Sequence, residues 1–244
     1  MQVNKVLSNV FKDSFKLVIN NPILWLFFYV FVIFDLLIVR YVPEGLNRLL
    51  LLVLNLLVIG LPGLKVEFLD SLSKDKQPQF NEVPKLLFYY FKKLFWVNLF
   101  LIFLGSVFFV LSGMILVLVG SPSALLFGYP VSELIRLIVF LPLAVVYFSL
   151  FHLFVVILFK KKKGITETLK LSVDYIKRNK EIVAGVVLLS LIVHYPLSEL
   201  VMAGLGQLGN IIDPFLIRAV VSFFNVIIDL FFFAVWMVLY NKKS

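Results

Sequence analysis

Apolar and polar positions fall into long separate blocks along this chain. A helix needs about 20 mostly apolar residues to cross a hydrocarbon core. Six blocks meet that requirement: Ile23 to Val39, about Leu46 to Leu64, Leu94 to Val119, Leu137 to Phe159, Ile182 to about Leu205, and Phe215 to Tyr240. The first opens on Asn21 and Pro22, a capping residue followed by proline at the first helical position. Gly60 and Pro62 stand near the end of the second block, Pro142 inside the fourth, and Pro196 near the far end of the fifth. Prolines at such depth are tolerated because neighbouring helices satisfy the freed carbonyls.

A different pattern lies between the blocks. Ile165, Leu169, Val173 and Ile176 recur at helical spacing, and Glu167, Lys170, Asp174 and Lys177 take another face with opposite charges three or four apart. This predicts an amphipathic helix over 165–180, lying along the membrane interface and turning at Asn179 into the next block. The stretch Lys170-Leu171-x-x-x-Tyr175-Ile176-Lys177-Arg178 matches Lys85-Leu86-x-x-x-Tyr90-Phe91-Lys92-Lys93 at the same spacing. A second such helix is therefore predicted over 81–93, starting at Asn81, Glu82, Val83 and Pro84. A third is predicted over 3–20. There Val3, Val6, Val10, Phe11, Ser14 and Val18 form the less polar face, opposite Lys5, Asn9, Lys12 and Lys16. Lys12-x-Ser14 precedes Asn21 by the same offset as Lys170-x-Ser172 precedes Asn179. The chain thus reads as three units, about 1–72, 73–160 and 161–244, each an interfacial elbow helix followed by a transmembrane hairpin.

The expected fold class is all-α: a polytopic membrane protein of six transmembrane helices and three interfacial amphipathic elbow helices. Composition agrees, with 61% hydrophobic and 15% charged among 244 residues, where a soluble domain is nearer half apolar and a quarter charged. Cysteine is absent, which excludes disulfides, thiolate metal sites and cysteine nucleophiles. No cleavable signal peptide is expected, because no small-residue cleavage site follows the first apolar block.

The net charge of +9 is read first as topology. Of the 23 Lys and Arg, all but Arg40, Arg48, Arg136 and Arg218 fall on the termini and on the second-to-third and fourth-to-fifth connections, with their flanks. The positive-inside rule then puts both termini on the cytoplasmic side of the cell membrane. The run Lys160, Lys161, Lys162, Lys163 carries this signal most densely. Together with Lys170, Lys177, Arg178, Lys85, Lys92, Lys93, Lys12 and Lys16 it is also a candidate contact for anionic lipid, at about 1 kcal/mol per nearby charge.

The segments FKDSFKLVINNPILWL and KKKKGITETLKLSVDYIKRNKEIVAGVVLLSLI resemble the elbow-plus-helix signatures of a broad group of six-span membrane proteins. That group includes the YciC-like inner-membrane proteins and the membrane domain fused to some glycerophosphoryl diester phosphodiesterases. The resemblance implies the fold. It does not bring phosphodiesterase activity, since the soluble domain with its acidic metal ligands is missing from this sequence.

Ionisable residues inside apolar blocks are the candidate chemistry. Asp229 lies well inside the sixth block, with Asn225 one turn earlier and Ser222 on the same stripe. Two readings stand for it: a hydrogen-bonded or protonated residue joining helices, or part of an ion or substrate path. In the first, an amide at 229 serves as well as the acid. Asp35, five residues before Arg40, reads as a carboxylate paired or snorkelling at the outer interface. His152 reads as an inter-helix hydrogen bond or a proton relay. His194 and Glu199 flank Pro196, at a spacing that does not share one face of a regular helix. Asn55 and Asn98 are single polar residues suited to helix contacts, and Gly105, Ser106, Gly113 and Gly120 to close helix approach.

No phosphate loop, dinucleotide fingerprint or HExxH pattern occurs. No cofactor and no metal are therefore expected. Nucleic acid is not an expected partner, because the 27 phenylalanines sit in apolar blocks rather than on a basic soluble domain. The expected partners are membrane lipids, anionic ones included, and a second copy or another membrane protein. The reading placed first is a non-enzymatic membrane scaffold or lipid-interacting protein. Second is a small-solute or ion transporter or channel using Asp229, Asn225 and His152. An intramembrane enzyme comes last, for want of catalytic groups at workable spacing.

Overall fold

The computed structural model describes residues 2–119, 125–126, 129–130, 150–161, 164–190, 192–193 and 213–243. Helix α1 covers Gln2–Ile19, α2 Pro22–Tyr41, α3 Glu44–Val58 and α4 Leu61–Ser73. A single 3-10 turn at Phe80–Glu82 leads into α5, Val83–Val119. Helix α6 covers His152–Lys161, α7 Ile165–Arg178, α8 residues 180–190, and α9 Pro214–Lys243. Apart from a two-residue antiparallel pairing of Leu125–Leu126 with Tyr129–Pro130, the described secondary structure is helical.

Among the described residues, α2 and α9 are each long and apolar enough to cross a membrane, and α3 with α4 would supply a third if the bent pair is one span. The expected limits of the first and last blocks match α2 and α9 within a few residues. His194, Pro196 and Glu199, Lys162 and Lys163, Gly120, Arg136 and Pro142 lie outside the described residues, as do most of the fourth block and the far half of the fifth.

The second block is not one straight helix. It breaks at Ile59 and Gly60 and continues as α4, bent by 42° from α3. Pro62 at the start of α4 has no N–H to give to the preceding turn, which ends the first helix there. Helix α4 is then held tightly against α5. A Cβ on Gly63 would lie 2.1 Å from Cγ of Tyr90, and one on Gly60 would lie 2.6 Å from the carbonyl oxygen of Leu87.

The expected boundary between 93 and 94 is also missing. Residues 83–93 are the first three turns of α5, which runs 37 residues to Val119. The three lysine-anchored segments explain why. Nine residues beyond Lys12 and Lys170 stand Asn21 and Asn179, and both leave the helical backbone at φ −122°. Asn21 Nδ2 donates to the Leu17 carbonyl at 2.7 Å and Asn179 Nδ2 to the Tyr175 carbonyl at 3.0 Å, which closes the helix end. The same position after Lys85 is Leu94, which is fully buried. Leucine offers no such cap and is a strong helix former, so the helix continues. Earlier in the pattern, Ser14 and Ser172 are both buried and donate to the carbonyls of Val10 and Thr168 at 2.7 and 2.8 Å.

The core centres on α6, whose residues His152 to Leu158 are all buried, the sign of a helix enclosed by others. It packs against α4, α7 and α9. The less polar face of α1, with Val10, Ser14 and Val18 buried, lies chiefly along α9, and Lys242 pairs with Asp13 at 2.7 Å. In α7 the buried face is Thr168, Ser172 and Tyr175, not the predicted apolar stripe; Ile165 and Leu169 are exposed. The two stripes lie about 90° apart around the helix, from the 100° turn per residue. The helix therefore carries three faces: small polar residues inward, charges on a second, aliphatic residues outward on a third.

Candidate functional site

Helix α4 carries Lys65, Glu67 and Asp70 on thirteen residues that are otherwise mostly buried and apolar, with Lys74 at its C-cap. Two residues apart in a helix point about 160° from each other, so Lys65 faces a different neighbour from Glu67. Lys65 reaches α9, where its ammonium donates to Asp229 Oδ2. The other oxygen of Asp229 lies 3.7 Å from Nε2 of His152 on α6. His152 is fully enclosed and its ring centre lies 4.4 Å from that of Phe233. Lys65 Nζ also lies 5.5 Å from the ring centre of Phe28 and 5.7 Å from that of Phe233. These rings turn negative faces toward the ammonium. Lys65 and Asp229 are 15% and 29% exposed, enough burial for the pairing to matter more than at a surface.

The other edge of α4 meets α5 and the end of α6. Asp70 is almost fully buried, and each of its oxygens takes a lysine: Oδ1 accepts from Lys160 of α6, and Oδ2 from Lys74 at 2.5 Å. Tyr90 donates its hydroxyl to Glu67 Oε2 at 2.9 Å. Tyr175, at the matching place in the repeated pattern, also turns inward and donates to the Leu239 carbonyl at 3.2 Å. Burial raises the pKa of Tyr175 above that of an ordinary phenol, with nearby Tyr240 adding to the rise, so it stays a donor. His152 and Lys160, about 12 Å apart along α6 at 1.5 Å per residue, thus meet two separate levels of charge.

The sequence-predicted residues are brought together only in part. Asp229 and His152 meet. Asn225 is exposed and Ser222 half-buried, and among the described residues neither bonds to Asp229. Asp35 does not pair with Arg40. Arg40 instead reaches Asp213 at the foot of α9 at 2.7 Å and lies over the Tyr41 and Phe215 rings. That bond, with the Phe215 N–H also donating, holds the Asp213 carboxyl below its usual range. Lys160 is engaged by Asp70 rather than free as part of a uniform basic run, whereas Lys161, Lys170, Lys177, Arg178, Lys85, Lys12 and Lys16 are exposed. Lys92 and Lys93 cover the rings of Phe88 and Tyr89 at 4.5 and 4.9 Å.

Sequence reading missed Lys65 by placing it in a connecting segment, and with it the partner of Asp229. It missed Glu67 and Asp70 for the same reason. Gly60-Leu-Pro62 was the available signal, since glycine and proline together in an apolar run mark a break. The apolar spacing of Leu61, Leu64, Phe68, Leu69 and Leu72 then announces a new helix. The partner also changes the expectation for an amide at 229: asparagine would leave the Lys65 ammonium without its counter-charge.

Among the described residues no three carboxylate or imidazole side chains converge as a metal site. The comparisons with family models, curated proteins and solved structures find no match to this chain.

Proposed function

We propose that this chain is a six-span protein of the cell membrane with both termini cytoplasmic, acting as a non-enzymatic scaffold or lipid-interacting protein. The observation that carries the reading is the state of its interior charges. Lys65 is matched by Asp229 and Asp70 by Lys160 and Lys74, while Tyr90 serves Glu67. The Lys65–Asp229 pair, satisfied within the bundle, binds helices together and leaves little at that depth to hold a passing solute. The outward Ile165 and Leu169 of α7 support an interfacial helix with its aliphatic face toward lipid. The apolar part of α5 from Leu94 is counted among the spans, with α2, α9 and the bent pair α3–α4. The likeness to YciC-like proteins belongs to the same proposal. Cysteines placed at Ser73 and Ser123 should react from opposite sides of intact cells; equal reaction with an impermeant reagent would contradict the topology.

A second reading, an ion or proton transporter, is favoured by one observation: the imidazole of His152 lies beside the Asp229 carboxylate. Flux into liposomes separates the two. The proposal predicts no proton or cation flux above protein-free liposomes. Flux in the wild type that disappears in His152→Gln would overturn it in favour of the relay.

A further inference from the structure

Between α4, the start of α5 and the end of α6 lies an open cleft of about 550 Å³. Its walls carry Lys74, Lys85 and Lys160 against Glu67 and Asp70. Asp70 already shares its one charge between two lysines, and each ammonium has three N–H donors, so donors remain unspent on both. Lys85 is exposed and, among the described residues, forms no ion pair. The Tyr89 hydroxyl at the mouth has no hydrogen-bond partner among them either. Three ammonium groups over two carboxylates, with a spare phenol, make a cradle for a phosphate-sized anion.

The surface below the cleft says what the anion is attached to. Tyr89, Trp96, Phe100 and Phe103 follow the cleft mouth down α5, and each is at least 42% exposed. Spacings of seven, four and three residues keep them on one helical stripe. Below Tyr89 at the cleft, the rings from Trp96 to Phe103 extend about 10 Å at 1.5 Å per residue, about two thirds of one leaflet of a hydrocarbon core about 30 Å thick. Charge at the top, with Lys93 over the Tyr89 ring, and exposed aromatic rings from Trp96 downward match a phospholipid, with its phosphate in the cleft and an acyl chain along α5.

We infer that the α4–α5–α6 cleft is a headgroup site for an anionic glycerophospholipid, held chiefly by Lys85, Lys74 and Lys160 and selective for it over a zwitterionic lipid. The inference rests on the lipid-interacting reading and names the site for it. A free phosphorylated solute shares the headgroup chemistry but makes no use of the stripe.

The test is native mass spectrometry of the full chain, released from micelles containing equal phosphatidylglycerol and phosphatidylcholine with the same acyl chains. The wild type should retain phosphatidylglycerol preferentially. Lys85→Gln removes no described contact, so it should keep the wild-type melting temperature while the preference falls about fivefold, the worth of one charge near a lipid surface. Lys5→Gln, on α1, should leave the preference unchanged, and millimolar glycerol phosphate should not displace the lipid. A wild type with no lipid preference would overturn the inference together with the lipid-interacting reading. A wild-type preference untouched by Lys85→Gln would overturn the cleft alone. Full displacement by glycerol phosphate would make the occupant a soluble phosphate and overturn the lipid assignment.

Discussion

Lys65 and Asp229 are 164 residues apart in the chain and joined side chain to side chain across α4 and α9. The contact brings the charge-bearing helix α4 against the last helix, at a depth where neither charge is easily left alone. Around it lie Phe28, Phe233 and His152. Removing one partner from a fully buried pair costs about 3–5 kcal/mol, mostly because the other charge stays buried, and this part-buried pair belongs at the low end of that range. The pair is thus a strict condition on how α4 and α9 meet, whatever its net contribution to stability.

Gly63 sets the distance between α4 and α5. Alanine normally stabilises a helix interior by about 1 kcal/mol over glycine. Here a methyl group would run into the Tyr90 ring at 2.1 Å. Gly63→Ala should therefore destabilise the protein by about 1–3 kcal/mol, the range for overpacking, and should break the Tyr90–Glu67 hydrogen bond. A melting temperature at or above wild type in thermal denaturation would show that α4 has room to move.

Asn179 separates α7 from α8 as Asn21 separates α1 from α2. Putting leucine there recreates the situation at Leu94, where the helix does not stop. Asn179→Leu should join α7 and α8 into one helix. Spin labels at Lys170 and Leu188 should then report a separation near 27 Å, the length of eighteen residues of straight helix. An unchanged wild-type separation would mean that the turn is imposed by packing rather than by the asparagine.

The three faces of α7 can be told apart by labels at neighbouring positions. A spin label at Leu169 should be accessible to oxygen dissolved in lipid, one at Lys170 to a water-soluble relaxation agent, and one at Ser172 to neither. Water exposure at Leu169 equal to that at Lys170 would exclude an interfacial helix with its aliphatic face in the membrane.

The elements were legible where one local signal sufficed. Asn21-Pro22 marked the start of α2, and the spacing of lysines, serines and tyrosines marked α1 and α7. The bend at Gly60 was blurred because hydrophobicity stays high on both sides of it. The inward face of α7 was not picked out, because Thr168, Ser172 and Tyr175 carry no apolar spacing. For the site, Asp229 and His152 could be seen as costly groups at depth. Their partner could not, since pairing over such a separation leaves no trace in the spacing of a single sequence, and Lys65 resembled one more loop lysine.

The central claim is that the interior charges serve as latches between helices, and a double-mutant cycle on Lys65 and Asp229 tests it most directly. Thermal or denaturant stability in detergent should be measured for Lys65→Met, Asp229→Leu and the combination. Each single change should cost about 3 kcal/mol, because it strands the opposite charge, and Asp229→Asn should fall in the same class. The double variant should return to within about 1 kcal/mol of wild type, as apolar replacements of buried pairs do. Losses that simply add in the double variant would show that the two side chains act independently, and would contradict the account.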